Sequence, residues 1–338
     1  MGVVSSSMYS LTVVAITGER FSRFAPYVAS VNDAGLVAFQ AALRDGGSGV
    51  FASHGGEVGE LVRRSLHAGV TSHPDVNTAR DTSFYGELPG GGQGAFLHRD
   101  GRLLIVADTH GAFRSIGPLG PTMNAAGTVA FRAESVDGVS GVFAGDGRAV
   151  TTIADTNGPW SRFHGLPVIT HDDAVVFRAD GKDGVQGIYA SRDGSIRTVA
   201  ATGERFQSLG LFPSANDHGT VAFTATLRGG TAGVFTDNAG RITRLTETDG
   251  AFEAYRGALI TSLGDVVMIA TPRGGSLGLF DGPNPEADRI LALGDPLLDT
   301  TVDDFAANPV SVNACGQVAI RASLADGRQA ILRADPAR

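Results

Sequence analysis

The sequence predicts an all-β fold, a single seven-bladed β-propeller with four antiparallel strands per blade, and three observations carry that prediction. Large apolar residues recur about 46 residues apart, at Phe39, Phe84, Phe131, Phe177, Phe223, Met268 and Ile320. Each is followed twelve positions later, with no insertion or deletion, by Phe51, Phe96, Phe143, Tyr189, Phe235, Phe280 and Leu332. Between these pairs come regular Asn-x-x-Gly and Gly-rich turn signals with no helical period. A fixed period of about 20 to 50 residues is the signature of solenoids and propellers.

In the first copy, Tyr27 to Val31 reads as a short strand, Asn32-Asp33-Ala34-Gly35 as a tight turn, and Leu36 to Leu43 as an apolar second strand. The turn recurs as Asn124-Ala125-Ala126-Gly127, Asn216-Asp217-His218-Gly219 and Asn313-Ala314-Cys315-Gly316. Gly accepts positive φ at little steric cost, and Asn bonds the backbone two residues on. Past a Gly-rich loop at 44–48, Gly49-Val50-Phe51 is the third strand, His54-Gly55-Gly56 a second turn, and the stretch around Glu60 to Arg63 the fourth strand. Blades start near residues 26, 71, 118, 164, 210, 255 and 307. The seventh copy runs out after its third strand, and residues 10–17 complete it. In support, SLTVVAITGERF (Ser10 to Phe21) matches SIRTVAATGERF (Ser195 to Phe206) at eight of twelve positions. An unclosed ring would expose large apolar side chains at about 1.5–3 kcal/mol each.

Composition narrows the function classes. At 338 residues the chain exceeds the usual single core, and a closed repeat array makes one domain of it. The net charge of −8, with Lys182 the single Lys and the Arg scattered among Asp and Glu, opposes a nucleic-acid face. Cys315 has no second cysteine to pair with. The run Leu11 to Ile16 has no Lys or Arg before it and is followed by Gly18-Glu19-Arg20, so it does not read as a signal core. No run approaches the ~20 apolar residues of a membrane span. The expectation is a cytoplasmic protein with a small-molecule ligand and no nucleic-acid or membrane partner, its oligomeric state open.

The strings NDAGLVAF (Asn32 to Phe39), NAAGTVAF (Asn124 to Phe131) and NDHGTVAF (Asn216 to Phe223) resemble the NxxGxxAF tandem-repeat proteins of bacteria. The resemblance covers nearly the whole chain. It implies a propeller and no settled activity. Many members look exported and carry a C-terminal anchor; this sequence departs from them in both respects, which favours the cytoplasm. In two copies the motif Asn has become Thr170 and Thr261, without disturbing the period.

In a propeller, pockets form at the end of the axis where the loops between blades gather, and the Asn-Gly turns lie at the opposite end. What repeats is scaffold; what breaks the repeat is a candidate. Phe21, Phe113, Trp160, Phe206 and Phe252 share one place in the loop between blades and read as aromatic plugs. Trp160, the one departure in size, is also a substrate-binding candidate. Glu19-Arg20 and Glu204-Arg205 recur verbatim and read as ion pairs.

The positions one and three beyond the marker apolar share a face of the second strand. They carry carboxylates only in blades 2, 3 and 4, at Glu87, Glu134 and Asp180. Arg132 and Arg178 can pair with the last two. Glu87 has Tyr85 beside it and no Arg, so it is the leading candidate for an acid or base of raised pKa. His73 and His164 approach from the first strands of the same sector. Across the ring Tyr27, Phe212, Tyr255, Arg256 and Asn308 complete a mixed wall suited to a small organic molecule, with Arg178 as an anion holder. No cofactor is expected; the two His and three carboxylates could hold a divalent metal, but no local metal motif is present.

Two functions follow. One is an enzyme with a single axial pocket and non-redox acid–base chemistry of lyase, isomerase or cyclase type, with Glu87, His73, His164, Glu134 and Asp180 catalytic. The alternative is a non-catalytic binding module, for ligand or protein. A lectin-like propeller would repeat its ligand residues blade by blade, and the polar positions here do not repeat. That favours one site over seven, while the fold itself decides neither.

Overall fold

The computed structural model describes residues 4–5, 9–64 and 69–337. Each marker pair stands directly across a hairpin, Phe39 opposite Phe51, Phe177 opposite Tyr189 and Ile320 opposite Leu332 among them. This is why the spacing of twelve never varies. A slip of one residue would turn every side chain of the strand to the other face. The paired rings stack within the blade, with centroids 5.4 Å apart for Phe84 and Phe96 and 6.0 Å for Phe39 and Phe51.

Seven such sheets form a propeller ring, and no α-helix occurs among the described residues. Blade 4 shows the unit most simply, with Trp160–Ile169, Val175–Gly181, Gln186–Arg192 and Ser195–Ala201 paired in chain order. Blade 7 is built from both ends of the sequence. Its strands Thr300–Ala306, Val318–Leu324 and Gln329–Pro336 are joined by Tyr9–Ile16, with Val13 opposite Leu332 and Ala15 opposite Ile331. The Gln329 side chain then accepts from the Phe24 and Ala25 amides at 2.7 and 3.0 Å, tying this closure to blade 1.

The recurrent aromatics belong to strands and not to loops, and they do fill the seams between blades: Phe21 packs in one core with Val14 and Ile331 of blade 7, and Phe206 with Ile188 and Val199 of blade 4. Phe21, Phe113, Trp160, Phe206 and Phe252 begin first strands and stand edge-on to the marker pair of their own blade, Phe21 at 5.0 Å from Phe51 and Phe252 at 5.0 Å from Phe280. Edge-on contact lets each ring close the core with a favourable quadrupole geometry. Arg20 and Arg205 do not pair with the adjacent Glu. Their guanidinium groups lie 5.1 Å from the Phe21 and Phe206 ring centres, a cation–π arrangement that explains why Arg and Phe recur together.

The Asn-Gly turns form a belt around one end of the axis. Asn32 Oδ1 accepts from the Ala34 and Leu36 amides, holding its own turn, while Nδ2 donates to the Asn77 carbonyl of the next blade at 2.8 Å. Asn77, Asn124, Asn216 and Asn313 reach their neighbours likewise, Asn313 closing back on Asn32 at 2.8 Å. Where Thr170 and Thr261 replace Asn, the hydroxyl is spent within the turn, and no amide remains to cross the seam. At the seam after blade 4, Asp217 Oδ1 instead accepts the His171 amide, so His171 and His218 belong to the turn scaffold.

Candidate functional site

The innermost strand of most blades is interrupted. In blade 1 it is split into Phe21–Arg23 and Ser30–Val31, in blade 3 into Phe113–Ile116 and Thr122–Met123, and in blade 5 into Phe206–Leu209 and Ser214–Ala215. Proline explains part of this. Pro74, Pro121, Pro167 and Pro213 stand three residues before the motif Asn or Thr of blades 2 to 5, and each removes a ladder donor. The residues freed from the ladder line the axis.

They enclose a cavity of about 360 Å³. One tier comes from the position four before the motif residue: Val28, His73, Leu166, Phe212, Gly257 and Pro309. The adjoining tier, five before it, gives Tyr27, Leu119, Arg256 and Asn308. Thr71 adds a hydroxyl, and Leu259 and Ile269 add apolar wall. The missing member of the first tier is Gly120 of blade 3, where a Cβ would overlap the His73 ring. Gly at this place is what gives the imidazole room.

The cavity is two-faced. Arg256, Asn308, Tyr27, Thr71 and His73 come from blades 6, 7, 1 and 2, which are consecutive in the ring, whereas blades 3, 4 and 5 contribute only Leu119, Leu166 and Phe212. Leu119 holds φ at 81°, in the left-handed region that branched side chains rarely adopt. His73 is 3% exposed, and burial drives its pKa down to about 4 against a hydrogen bond to the Pro121 carbonyl. The imidazole is therefore neutral at pH 7, and its Nε2 has no partner among the described residues. Burial raises the pKa of Tyr27, whose hydroxyl bonds no other described residue. Arg256 is exposed to the cavity mouth and makes no ion pair or hydrogen bond with another described residue.

Five of the residues expected at the site thus meet on one cavity: Tyr27, His73, Phe212, Arg256 and Asn308. The other seven stand elsewhere. Glu87 is exposed at the end of its strand, where Oε2 accepts from the Gly69 amide at 3.0 Å. Glu134 pairs on the surface with Arg114 at 3.0 Å, while Arg132 turns to the Gly165 carbonyl. Asp180 binds buried Arg178 at 2.6 Å and His164 Nε2 at 2.7 Å. Burial would raise the Asp180 pKa, and these two partners outweigh it, so the carboxyl sits below its usual value. Trp160 is core, 5.7 Å from Phe177, and the Tyr255 hydroxyl is engaged by Thr246 at 2.7 Å. The carboxylates miss the cavity because second strands lie outside the innermost ones. Among the described residues no group of three or more His, Cys, Asp or Glu could hold a metal ion.

A smaller cavity of about 170 Å³ lies at the belt end and is lined in part by Asp75. Asp75 occupies the place that Ser30, Thr122, Ser214 and Ser311 hold in other blades. There Thr122 and Ser214 accept from the next blade's Ile169 and Ile260 amides, and Asp75 Oδ2 does the same from Met123 at 2.7 Å. Burial raises its pKa to about 7.

No family model and no curated protein matches the sequence. Among solved structures the chain is similar to an oligogalacturonate lyase in complex with manganese, 12% identical, with a TM-score of 0.66 over all of this chain and 96% of the other. An oligogalacturonate lyase from Vibrio parahaemolyticus is 10% identical, with a TM-score of 0.57 over 97% of this chain and 98% of the other. Prolyl oligopeptidase B from Galerina marginata is also 10% identical, with a TM-score of 0.56 over 90% of this chain and 47% of the other. At such identities the likeness is one of fold. No helix among the described residues is long and apolar enough to cross a membrane.

Proposed function

We propose that this chain is a cytoplasmic small-molecule enzyme of lyase or isomerase type, working by non-redox proton transfer in the single axial cavity. The observation that carries the reading is a buried imidazole on the cavity wall whose Nε2 has no partner. With the other ring nitrogen committed to the Pro121 carbonyl, Nε2 keeps an unbonded lone pair, buried at the cavity wall until a substrate shifts the ring. His73 is then the proton acceptor and Tyr27, its hydroxyl protonated at neutral pH, the donor. The apolar walls strengthen both interactions by excluding water. Two oligogalacturonate lyases of matching length offer a fold-level analogy for lyase chemistry on such a ring. Their manganese does not carry over, since the cavity lining holds one His and no carboxylate.

The test is proton NMR in D2O on a panel of small hydroxy and keto acids and their amides. Wild type is expected to exchange or eliminate a substrate C–H that the His73→Asn variant leaves untouched, because Asn keeps a donor for Pro121 and lacks Nε2. Equal rates in the two proteins would refute the assignment. A second reading, a ligand-binding propeller without turnover, is favoured by one observation: Glu87, Glu134 and Asp180 all lie off the cavity. Binding across the panel with no exchange would select it.

A further inference from the structure

We propose that the axial cavity takes a small monocarboxylate with an apolar body, its carboxylate paired with Arg256 on blade 6 and its body laid against Leu119, Leu166 and Phe212 of blades 3 to 5. The assignment rests on the axial cavity being the functional site. It does not depend on the chemistry done there.

The charge count comes first. Arg256 is the one fixed cation of the lining, His73 is neutral at pH 7, and no Asp or Glu is present to neutralise the guanidinium. An unpaired guanidinium beside apolar surface gains from a carboxylate more than from any neutral group, through charge-assisted and often bidentate hydrogen bonds. One cation matches one carboxylate. A polyanion such as an oligogalacturonate would leave further carboxylates desolvated without a partner.

The distribution of polar groups fixes the orientation. Asn308 and Tyr27 follow Arg256 in the ring, so a carboxylate held by Arg256 has an amide and a hydroxyl beside it. Asn308 Oδ1 is already taken by the Val310 amide, which leaves its Nδ2 as a donor. Thr71 and His73 stand next along the arc, where a hydroxyl or carbonyl near the acid group would be read. The opposite arc has no polar side chain and can accept only hydrocarbon or aromatic surface. In volume, about 360 Å³ corresponds to roughly a dozen water molecules, and hence to a ligand of about ten to fifteen heavy atoms.

Isothermal titration with 1-naphthoate and its neutral isostere 1-naphthamide tests this on the full chain. The acid is expected to bind about tenfold or more tightly than the amide, the usual range for a charge-assisted contact. Arg256→Gln should remove that difference by weakening the acid and leaving the amide unchanged, and Phe212→Ala should weaken both. Equal affinity for acid and amide in the wild type would overturn the proposal, as would failure of both to bind up to about 1 mM, or displacement of naphthoate by digalacturonate. Naphthoate binding that follows these rules while the D2O panel shows no exchange supports this assignment and removes only the proton-transfer reading. Exchange confined to neutral compounds would overturn it.

Discussion

Replacing Asp75 by Asn is expected to uncover a rise of stability with pH between about pH 4 and 6.5, where the wild type is flat. Asp75 is buried, and its pKa is raised from 3.8 to about 7. In the unfolded chain it ionises near the ordinary value, so between about pH 4 and 7 the folded state holds the extra proton. The stability linked to that proton is full below the unfolded value and is lost as pH rises through about 7. At about 1.4 kcal/mol per pH unit, this amounts to on the order of 4 kcal/mol. His73, two residues away, has the opposite sign. Its pKa falls from 6.5 to about 4, so the unfolded state binds the extra proton in that interval. Its contribution is full above 6.5 and is lost as pH falls towards 4, on the order of 3 kcal/mol. From about pH 4 to 6.5 the two slopes cancel in the wild type, and above 6.5 the Asp75 loss stands uncompensated. Asn keeps an oxygen for the Met123 amide and removes one slope, so the variant should gain stability with rising pH up to 6.5 and exceed wild type at pH 8. Urea denaturation followed by the fluorescence of Trp160, at intervals across this range, reads both curves. Parallel curves for the two proteins would refute burial of Asp75 as the source of its shift.

Three further outcomes follow from the geometry. Asn32→Ala leaves the Ala34 and Leu36 amides without this acceptor and takes from the Asn77 carbonyl one of two donors, the Arg80 amide remaining, and a loss of about 2–3 kcal/mol is expected in urea; a loss under about 1 kcal/mol would show that the belt is decorative. Gly120→Ala drives a methyl into the His73 ring, so it should cost about 1–3 kcal/mol in stability and weaken 1-naphthoate, and unchanged affinity by titration would contradict the described wall. Glu87→Gln keeps an acceptor for Gly69 on an exposed site, so stability in urea and naphthoate affinity should stay within about 0.5 kcal/mol of wild type; a tenfold fall in affinity would return Glu87 to the site.

The propeller is legible because its cores repeat. Phe39 and Phe51 are both a sequence spacing and a cross-strand pair, and the closing strand at Leu11 to Ile16 betrays itself by likeness to blade 4. Part of the cavity is legible for the same reason, since counting back four or five residues from the motif Asn or Thr reaches the wall in each blade and finds Tyr27, His73, Phe212, Arg256 and Asn308. Glu87, Glu134 and Asp180 mislead, because alternation along a strand gives a side chain's face and not the strand's distance from the axis. Leu119 and Leu166 are invisible among so many apolar residues, although the prolines at Pro121 and Pro167 mark where the inner ladder lapses. Asp75 sits in a column of four hydroxyls and the apolar Val168 and Leu259, and comparing that column across copies exposes it as the one ionisable member.

Closing the last blade with the Tyr9–Ile16 strand has a consequence for biosynthesis. The partner of Thr17 across this junction is Gln329, 312 residues further along. On the ribosome the strand is therefore made before the hairpin it joins, and the edge that meets Gln329–Pro336 waits, unmatched, while six sheets assemble behind it. Final annealing depends on contacts of very long sequence separation, 323 residues for Thr12 and Asp335, the slow and aggregation-exposed kind of step. A pause between the first strand and the last hairpin leaves that seam open for as long as the remaining sheets take to form.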